Sequence, residues 1–207
     1  EGVGFHYQNG EPVLRDIDLH FPAGKTVALV GPTGAGKTTL ASLLLRLYDP
    51  TEGRLTIDGH DIREVSLDSL TQQMSIVPQE PYLFSGTINE NIRYNRNDAS
   101  DEQVRRAATA VGADDFITKL EQGYDTPLQE RGGNLSIGQR QLISFARALV
   151  ADPRILILDE ATANIDTYSE MLIQRALGEL LRDRTAVVIA HRLSTIRNAN
   201  NIVVVDQ

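Results

Sequence analysis

Cysteine is absent from the 207 residues, so neither a disulfide nor a thiolate metal site contributes to fold or chemistry. That absence fits a reducing, cytosolic setting. No apolar run approaches the ~18 residues needed to span a bilayer, and no leader pattern opens the chain. Any work at a membrane would need an anchor from another segment. Positive charge is the scarcer sign: 20 Lys and Arg against 28 Asp and Glu leave a formal charge of −8, which argues against a nucleic-acid surface. A bound phosphate would therefore be held by local groups. Internal repeats and low-complexity tracts are also lacking, and the length suits one domain, or one domain with a smaller lobe. The chain opens at Glu1 without Met and closes at Val205-Asp206-Gln207 directly after a strand-like run. Both ends are expected to continue into a longer polypeptide.

What the chain does contain is a glycine-rich loop, Gly31-Pro32-Thr33-Gly34-Ala35-Gly36-Lys37-Thr38-Thr39, between the apolar run Val27-Ala28-Leu29-Val30 and leucines at 40, 43, 44 and 47 in helical spacing. Glycine is needed where backbone takes positive φ and approaches a ligand closely. The first amides of the following helix, at the positive end of its dipole, favour an anion. Lys37 adds a point charge for β- and γ-phosphates, and the Thr38 hydroxyl is an oxygen ligand suited to Mg²⁺. Strand, loop, Lys-Thr pair and helix together predict a nucleotide phosphate cradle.

Around this loop the pattern changes twice. Val3, Phe5 and Tyr7 alternate, Asn9-Gly10 signals a tight turn, and Ile17, Leu19 and Phe21 alternate again, predicting an antiparallel β entry. Residues 53–59, ending in Asp58-Gly59, read as a further strand joining that layer. Residues 74–77 read as a buried strand ended by Pro78, leaving Gln79 just past its end. Between about 80 and 150 the periodicity is helical, with segments predicted over 87–94, 101–111, 113–122 and 137–150. Ser100 with Gln103, and Ser136 with Gln139, fit capping boxes. Apolar runs at 155–158, 185–190 and 202–205, with a helix over 168–181, predict a parallel sheet covered on both faces.

Two further stretches carry chemistry. Ile155-Leu156-Ile157-Leu158-Asp159-Glu160 delivers two carboxylates at the carboxyl end of a strand, the edge where open α/β sheets bind ligands. Asp159 suits a Mg²⁺ contact, and Glu160 suits polarising a water aimed at a γ-phosphate. Leu135-Ser136-Ile137-Gly138-Gln139 opens a helix and is either a simple helix start or a second anion site.

Taken in order, the phosphate loop, Gln79, Leu135-Ser136-Ile137-Gly138-Gln139, Asp159-Glu160 and Ile189-Ala190-His191-Arg192 resemble the nucleotide-binding domain of ABC transporters over essentially the whole chain. The resemblance implies an α/β fold: a P-loop NTPase core with a mainly parallel sheet, an N-terminal antiparallel β layer and an inserted α-helical subdomain. Residues 1–79 and 151–207 would form the core with its β layer, residues 80–150 the helical subdomain, and a transmembrane domain would precede residue 1. It implies ATP and Mg²⁺ as ligands, with Tyr7 stacking on adenine, Gln79 meeting Mg²⁺ and moving with the membrane partner, and His191 bonding the γ-phosphate. Lys37, Gln79, Glu160 and His191 would be the catalytic set, and Thr38, Gln79 and Asp159 the metal set. Ser136, Gly138 and Gln139 would contact the ATP of a second such domain, identical or not, in a head-to-tail dimer. Asp166, after Ala163-Asn164-Ile165, would cross that interface.

Two departures from the family pattern stand out. Ile137 replaces the first glycine of the usual Leu-Ser-Gly-Gly-Gln, which is expected to restrict the backbone and add bulk there. Ala163 replaces a serine hydroxyl in the interface loop. Residues 79–85 and Glu130-Arg131-Gly132 look like the surfaces by which exporters with fused membrane domains couple to those domains, at the cytoplasmic face of the cell membrane. The alternatives are a soluble ATPase of the same type, in DNA repair, chromosome organisation or translation, or a weakly hydrolysing regulatory half-site. Acidic charge and the lack of a coiled-coil insertion argue against the first, and Glu160 with His191 against the second. No nucleic-acid partner is expected.

Overall fold

In the computed structural model, residues 1–8, 10–159, 167–190 and 193–206 are described. In chain order the elements are β1 (Val3–His6), β2 (Pro12–Ile17), β3 (Thr26–Val30), α1 (Lys37–Leu44), β4 (Thr56–Ile57), β5 (His60–Asp61), α2 (Leu67–Gln73) and β6 (Met74–Val77). Then follow β7 (Gly86–Thr87), α3 (Ile88–Arg93), α4 (Asp101–Ala110), α5 (Asp114–Ile117), β8 (Pro127–Leu128) and α6 (Ile137–Val150). The chain continues through β9 (Ile155–Asp159), α7 (Thr167–Leu181), β10 (Thr185–Ile189), α8 (Leu193–Asn198) and β11 (Asn201–Val204).

The described residues divide into two units. The first takes in Glu1–Met74, 154–159 and 183–206. Its apolar runs form the strands the sequence predicts, in the order β11-β3-β10-β9 and all parallel. The fifth place in the sheet, beyond β9, belongs to β6, the strand on which the chain leaves this unit. Leu29, Leu43, Ile157 and Ile189 are buried in a core that Phe5 and Leu14 of the β1–β2 hairpin also enter. Each such side chain contributes about 1.5–3 kcal/mol of burial. The hairpin pairs antiparallel, with Val3 opposite Ile17 and Phe5 opposite Leu14.

Residues 53–59 depart from expectation. The chain meets β1 at Glu52, bridged to Gly4, whereas β4 pairs with β5 in its own hairpin. Asp58 and Gly59 both have positive φ, 51° and 84°, the geometry of a two-residue I′ turn, which reverses the chain before it can extend the first layer. Helix α1 is also a turn shorter than the leucine spacing implies: Arg46 has φ 53°, and Leu47 lies beyond the helix, exposed. Helices α2 and α8 are too short to leave a periodic signature, and neither is predicted.

The second unit covers 75–153 and 167–182 among the described residues. It is larger than the 80–150 stretch because α7 belongs with it: α7 packs on α6, and a Cβ on Gly138 of α6 would lie 3.0 Å from that of Ser169. Capping boxes start α3 at Thr87-Glu90, α4 at Ser100-Gln103 and α6 at Ser136-Gln139. The helix expected over 113–122 is limited to α5, because Lys119 and Leu120 donate three residues back, to Phe116 and Ile117, and tighten the chain into turns.

Candidate active site

The phosphate loop lies between β3 and α1, as its flanking patterns predict. Gly31 has φ 152°, and a Cβ there would stand 2.1 Å from the Val205 carbonyl oxygen. Val205 is itself fixed by donating its N–H to the Val30 carbonyl at 2.8 Å. Gly36, φ 96°, caps α1 where a Cβ would meet Leu14 Cδ2 at 2.7 Å. Only glycine fits either place. The loop thus brings bare backbone to a helix start with no carboxylate in its first turn.

Lys37 is buried, and its Nζ donates to the carbonyls of Gly31 and Pro32, both at 2.8 Å. An ammonium has three N–H donors, so one remains beyond these two. Thr38 is exposed beside it, while Thr39 is buried. Asp159 closes β9; in register it lies opposite Ile189 of β10, which lies opposite Leu29 of β3. Two strand spacings, about 10 Å, therefore separate Asp159 from Leu29, two residues before the loop, along the same carboxyl edge. A hydroxyl and a carboxylate, both hard oxygen donors, beside a glycine cradle fit a Mg²⁺-bound polyphosphate.

Tyr7 follows β1 and is 37% exposed, with its phenol oxygen 3.1 Å from Thr39 Oγ1. Its ring meets Phe5 edge-on at 4.9 Å and Tyr48 edge-on at 5.5 Å. The ring is thus both anchored in the hairpin core and half open to solvent beside the loop helix. Tyr48 is missed by sequence reasoning, since it follows α1 with no periodic signal.

In the second unit Gln79 is exposed just past β6. Ser136 is exposed at the start of α6; its Oγ accepts from Gln139 N at 3.2 Å, while Gln139 Oε1 accepts from Ser136 N at 2.9 Å. The hydroxyl proton and the amides of Ile137 and Gly138 are left as donors at a helix N-terminus. Ile137 sits in regular helix with its side chain 42% exposed, so the fold asks for no glycine-only backbone at this position. Gly138 is required instead by the approach of α7 at Ser169. The two stretches expected to face a membrane partner lie together: Arg131 sits over the Tyr82 ring at 6.0 Å, and a Cβ on Gly132 would meet Leu83 at 2.9 Å. Glu160, residues 163–166 and His191 fall outside the described residues.

A family model described as ABC transporter matches residues 14–163. The chain is 58% identical, over 100% of its length and 34% of the relative's, to an uncharacterized ABC transporter ATP-binding protein, YknV, of Bacillus subtilis. It is 52% identical to a fatty acid ABC transporter ATP-binding/permease protein of Mycobacterium tuberculosis, over 99% of this chain and 32% of that one. With an ATP-dependent lipid A-core flippase of Pectobacterium atrosepticum it shares 54% identity, over 99% and 35%. Among solved structures, a bacterial Atm1-family ABC exporter with ATP bound superposes with a TM-score of 0.91 at 46% identity, covering 100% of this chain and 36% of that one. The chain thus spans about a third of the length of the curated relatives it matches. Phosphate loop, parallel sheet, capped signature helix and these likenesses agree: the chain belongs to the ABC transporter family, as one of its ATPase domains.

Proposed function

We propose that this domain is the motor of an exporter, in which two such domains close head to tail around two ATP molecules and drive an attached transmembrane domain. In this reading the loop amides and Lys37 hold the β- and γ-phosphates, and Tyr7 stacks on adenine. Thr38, Gln79 and Asp159 would hold Mg²⁺, which when bound offsets phosphate charge. Glu160 acts as general base on the attacking water, and His191 bonds the γ-phosphate. Ser136, Gly138 and Gln139 present the second helix end to the partner's ATP, whether the partner is a second copy or a different ATPase domain. Residues 79–85 and 130–132 face the transmembrane domain, which places this chain at the cytoplasmic face of the cell membrane.

One observation carries the reading. A single chain holds two helix starts fitted to phosphate, one at Gly36 and one at Ser136, and the capping box of the second leaves its outward donors unused. Two copies in antiparallel arrangement give every ATP one of each. The membrane partner is supported by relatives that are an ATP-binding/permease protein and a flippase, and by the exporter likeness. Among the described residues no helix is long and apolar enough to cross a membrane, so that domain would lie elsewhere in the polypeptide. Nearly equal identity to relatives whose names specify fatty acid and lipid A-core supports a cargo choice made outside this chain.

Glu160→Gln tests the assignment. The variant is expected to bind ATP and accumulate as a closed dimer in size-exclusion chromatography with light scattering, with turnover lost. Steady-state hydrolysis near the wild-type rate would remove Glu160 from the role of base.

A further inference from the structure

Arg147 lies near the far end of α6, eleven residues beyond Ser136 in sequence, about 16 Å along the helix. Its guanidinium is partly buried and, among the described residues, meets no carboxylate. Nη1 donates to the Tyr82 carbonyl at 2.8 Å, Nε to the Asn91 carbonyl at 2.7 Å, and Nη2 to Asn91 Oδ1 at 2.8 Å. Its cationic plane lies 5.3 Å from the Phe84 ring and 5.6 Å from the Tyr94 ring. Burial pushes its pKa down to about 10, which leaves it charged at neutral pH. Asn91, fully buried, completes the clamp: its side chain accepts from Phe84 N and donates to the carbonyls of Phe84 and Thr87.

Tyr82 and Phe84 belong to the 79–85 stretch expected to face the membrane domain and are exposed at 49% and 36%; Tyr94, at the end of α3 and 51% exposed, stacks on Phe84 beside that stretch. A planar fork donating to three oxygens beside two stacked aromatic rings is a task lysine cannot reproduce. We infer that Arg147 is a positioning residue that ties the 82–94 surface rigidly to α6, so that movement of the Ser136 end on ATP is carried to the surface facing the membrane domain. This rests on the head-to-tail reading above.

The test uses the full-length polypeptide carrying this chain, with Glu160→Gln to retain ATP, and reads hydrogen–deuterium exchange with and without Mg-ATP. The parent is expected to slow its exchange at 136–140 and to change it at 82–94. R147K keeps the charge, and R147M keeps the apolar stem; whichever melts closer to the parent is read. The inference expects the response at 136–140 to persist and the response at 82–94 to be lost. A purely structural role would raise exchange at 82–94 in both states and leave the ATP-dependent difference in place, which overturns the inference. So does loss of both responses in a folded variant, or a parent that responds at 136–140 alone. A parent without ATP-dependent slowing at 136–140 overturns the head-to-tail reading itself, and this inference with it.

Discussion

Replacing Gly31 by alanine isolates what the phosphate loop owes to the strand beside it. At φ 152° a Cβ is strained in any surroundings, a cost of about 1–3 kcal/mol. The surroundings add more, since the new atom would lie 2.1 Å from the Val205 carbonyl oxygen, when ordinary contact starts at 3.4 Å. Backbone must move by more than 1 Å, and the Val205 N–H bond to Val30 goes with it, at about 1 kcal/mol. The sum is about 2–4 kcal/mol. Gly59→Ala is the control: φ is 84°, and nothing lies within 4 Å of its added Cβ, so only strain of about 1–2 kcal/mol applies. Urea unfolding of both variants reads the difference. Titration with a fluorescent ATP analogue reads the displaced loop, expected to bind about 10–100-fold more weakly in Gly31→Ala and unchanged in Gly59→Ala. Equal destabilisation of the two variants, with wild-type ATP binding in both, refutes the buttress.

Two other perturbations probe the helical unit. Tyr124 is buried and donates to Asp114 Oδ1 at 2.7 Å; burial first, then the bonded carboxylate and its charge, hold its pKa well above the usual phenol range. A folded-state pKa above the unfolded one stabilises fully below about pH 10 and is lost as pH rises beyond it. Tyr124→Phe is therefore expected to cost about 1.5 kcal/mol at pH 7, with the gap to wild type closing above pH 10 in urea midpoints followed against pH. Gly138→Ala sets a small gain in helix propensity against contact with Ser169 Cβ at 3.0 Å, for a net loss of about 1 kcal/mol. Adding Ser169→Gly should recover that loss, read as the coupling energy of a double-mutant cycle.

Elements whose signal is local were legible in the sequence. The capping boxes at Ser100 and Ser136 need four consecutive residues, and both form as expected. Continuous apolar runs specified β3, β9 and β10 because a strand buried on both faces has no alternation to misread, whereas β11 forms at its apolar run but is largely exposed. The phosphate loop was legible because glycine, lysine and threonine each answer a separate requirement at fixed spacing. What escaped depends on contacts distant in sequence. Nothing near Gly138 indicates that Ser169 will approach it, so its role as packing space leaves no mark in the sequence. Arg147 reads as one basic residue late in a helix, and its acceptors at Tyr82 and Asn91 are 65 and 56 positions away. Residues 53–59 carry no mark of their pairing with β5, because a strand's length and turn do not name its partner.

The arrangement of Lys37 bears on how this loop binds a phosphate at all. Removing an ammonium from water is costly, and a loop that buried its lysine only on meeting ligand would set that cost against its affinity. Here Nζ is already inside the loop, bonded at 2.8 Å to the carbonyls of Gly31 and Pro32. The desolvation is thus charged to folding, where the packing of β3, α1 and the Val205 backbone offsets it. In the proposed function, ligand arrival would exchange neutral carbonyl acceptors for anionic phosphate oxygens, so that both partners of each bond carry charge. The same carbonyl contacts tie the loop to the Lys37 side chain, with Gly31 and Gly36 fixed from outside by Val205 and Leu14. In the proposed function, affinity for ATP would then follow from a cradle whose shape is set by its neighbours.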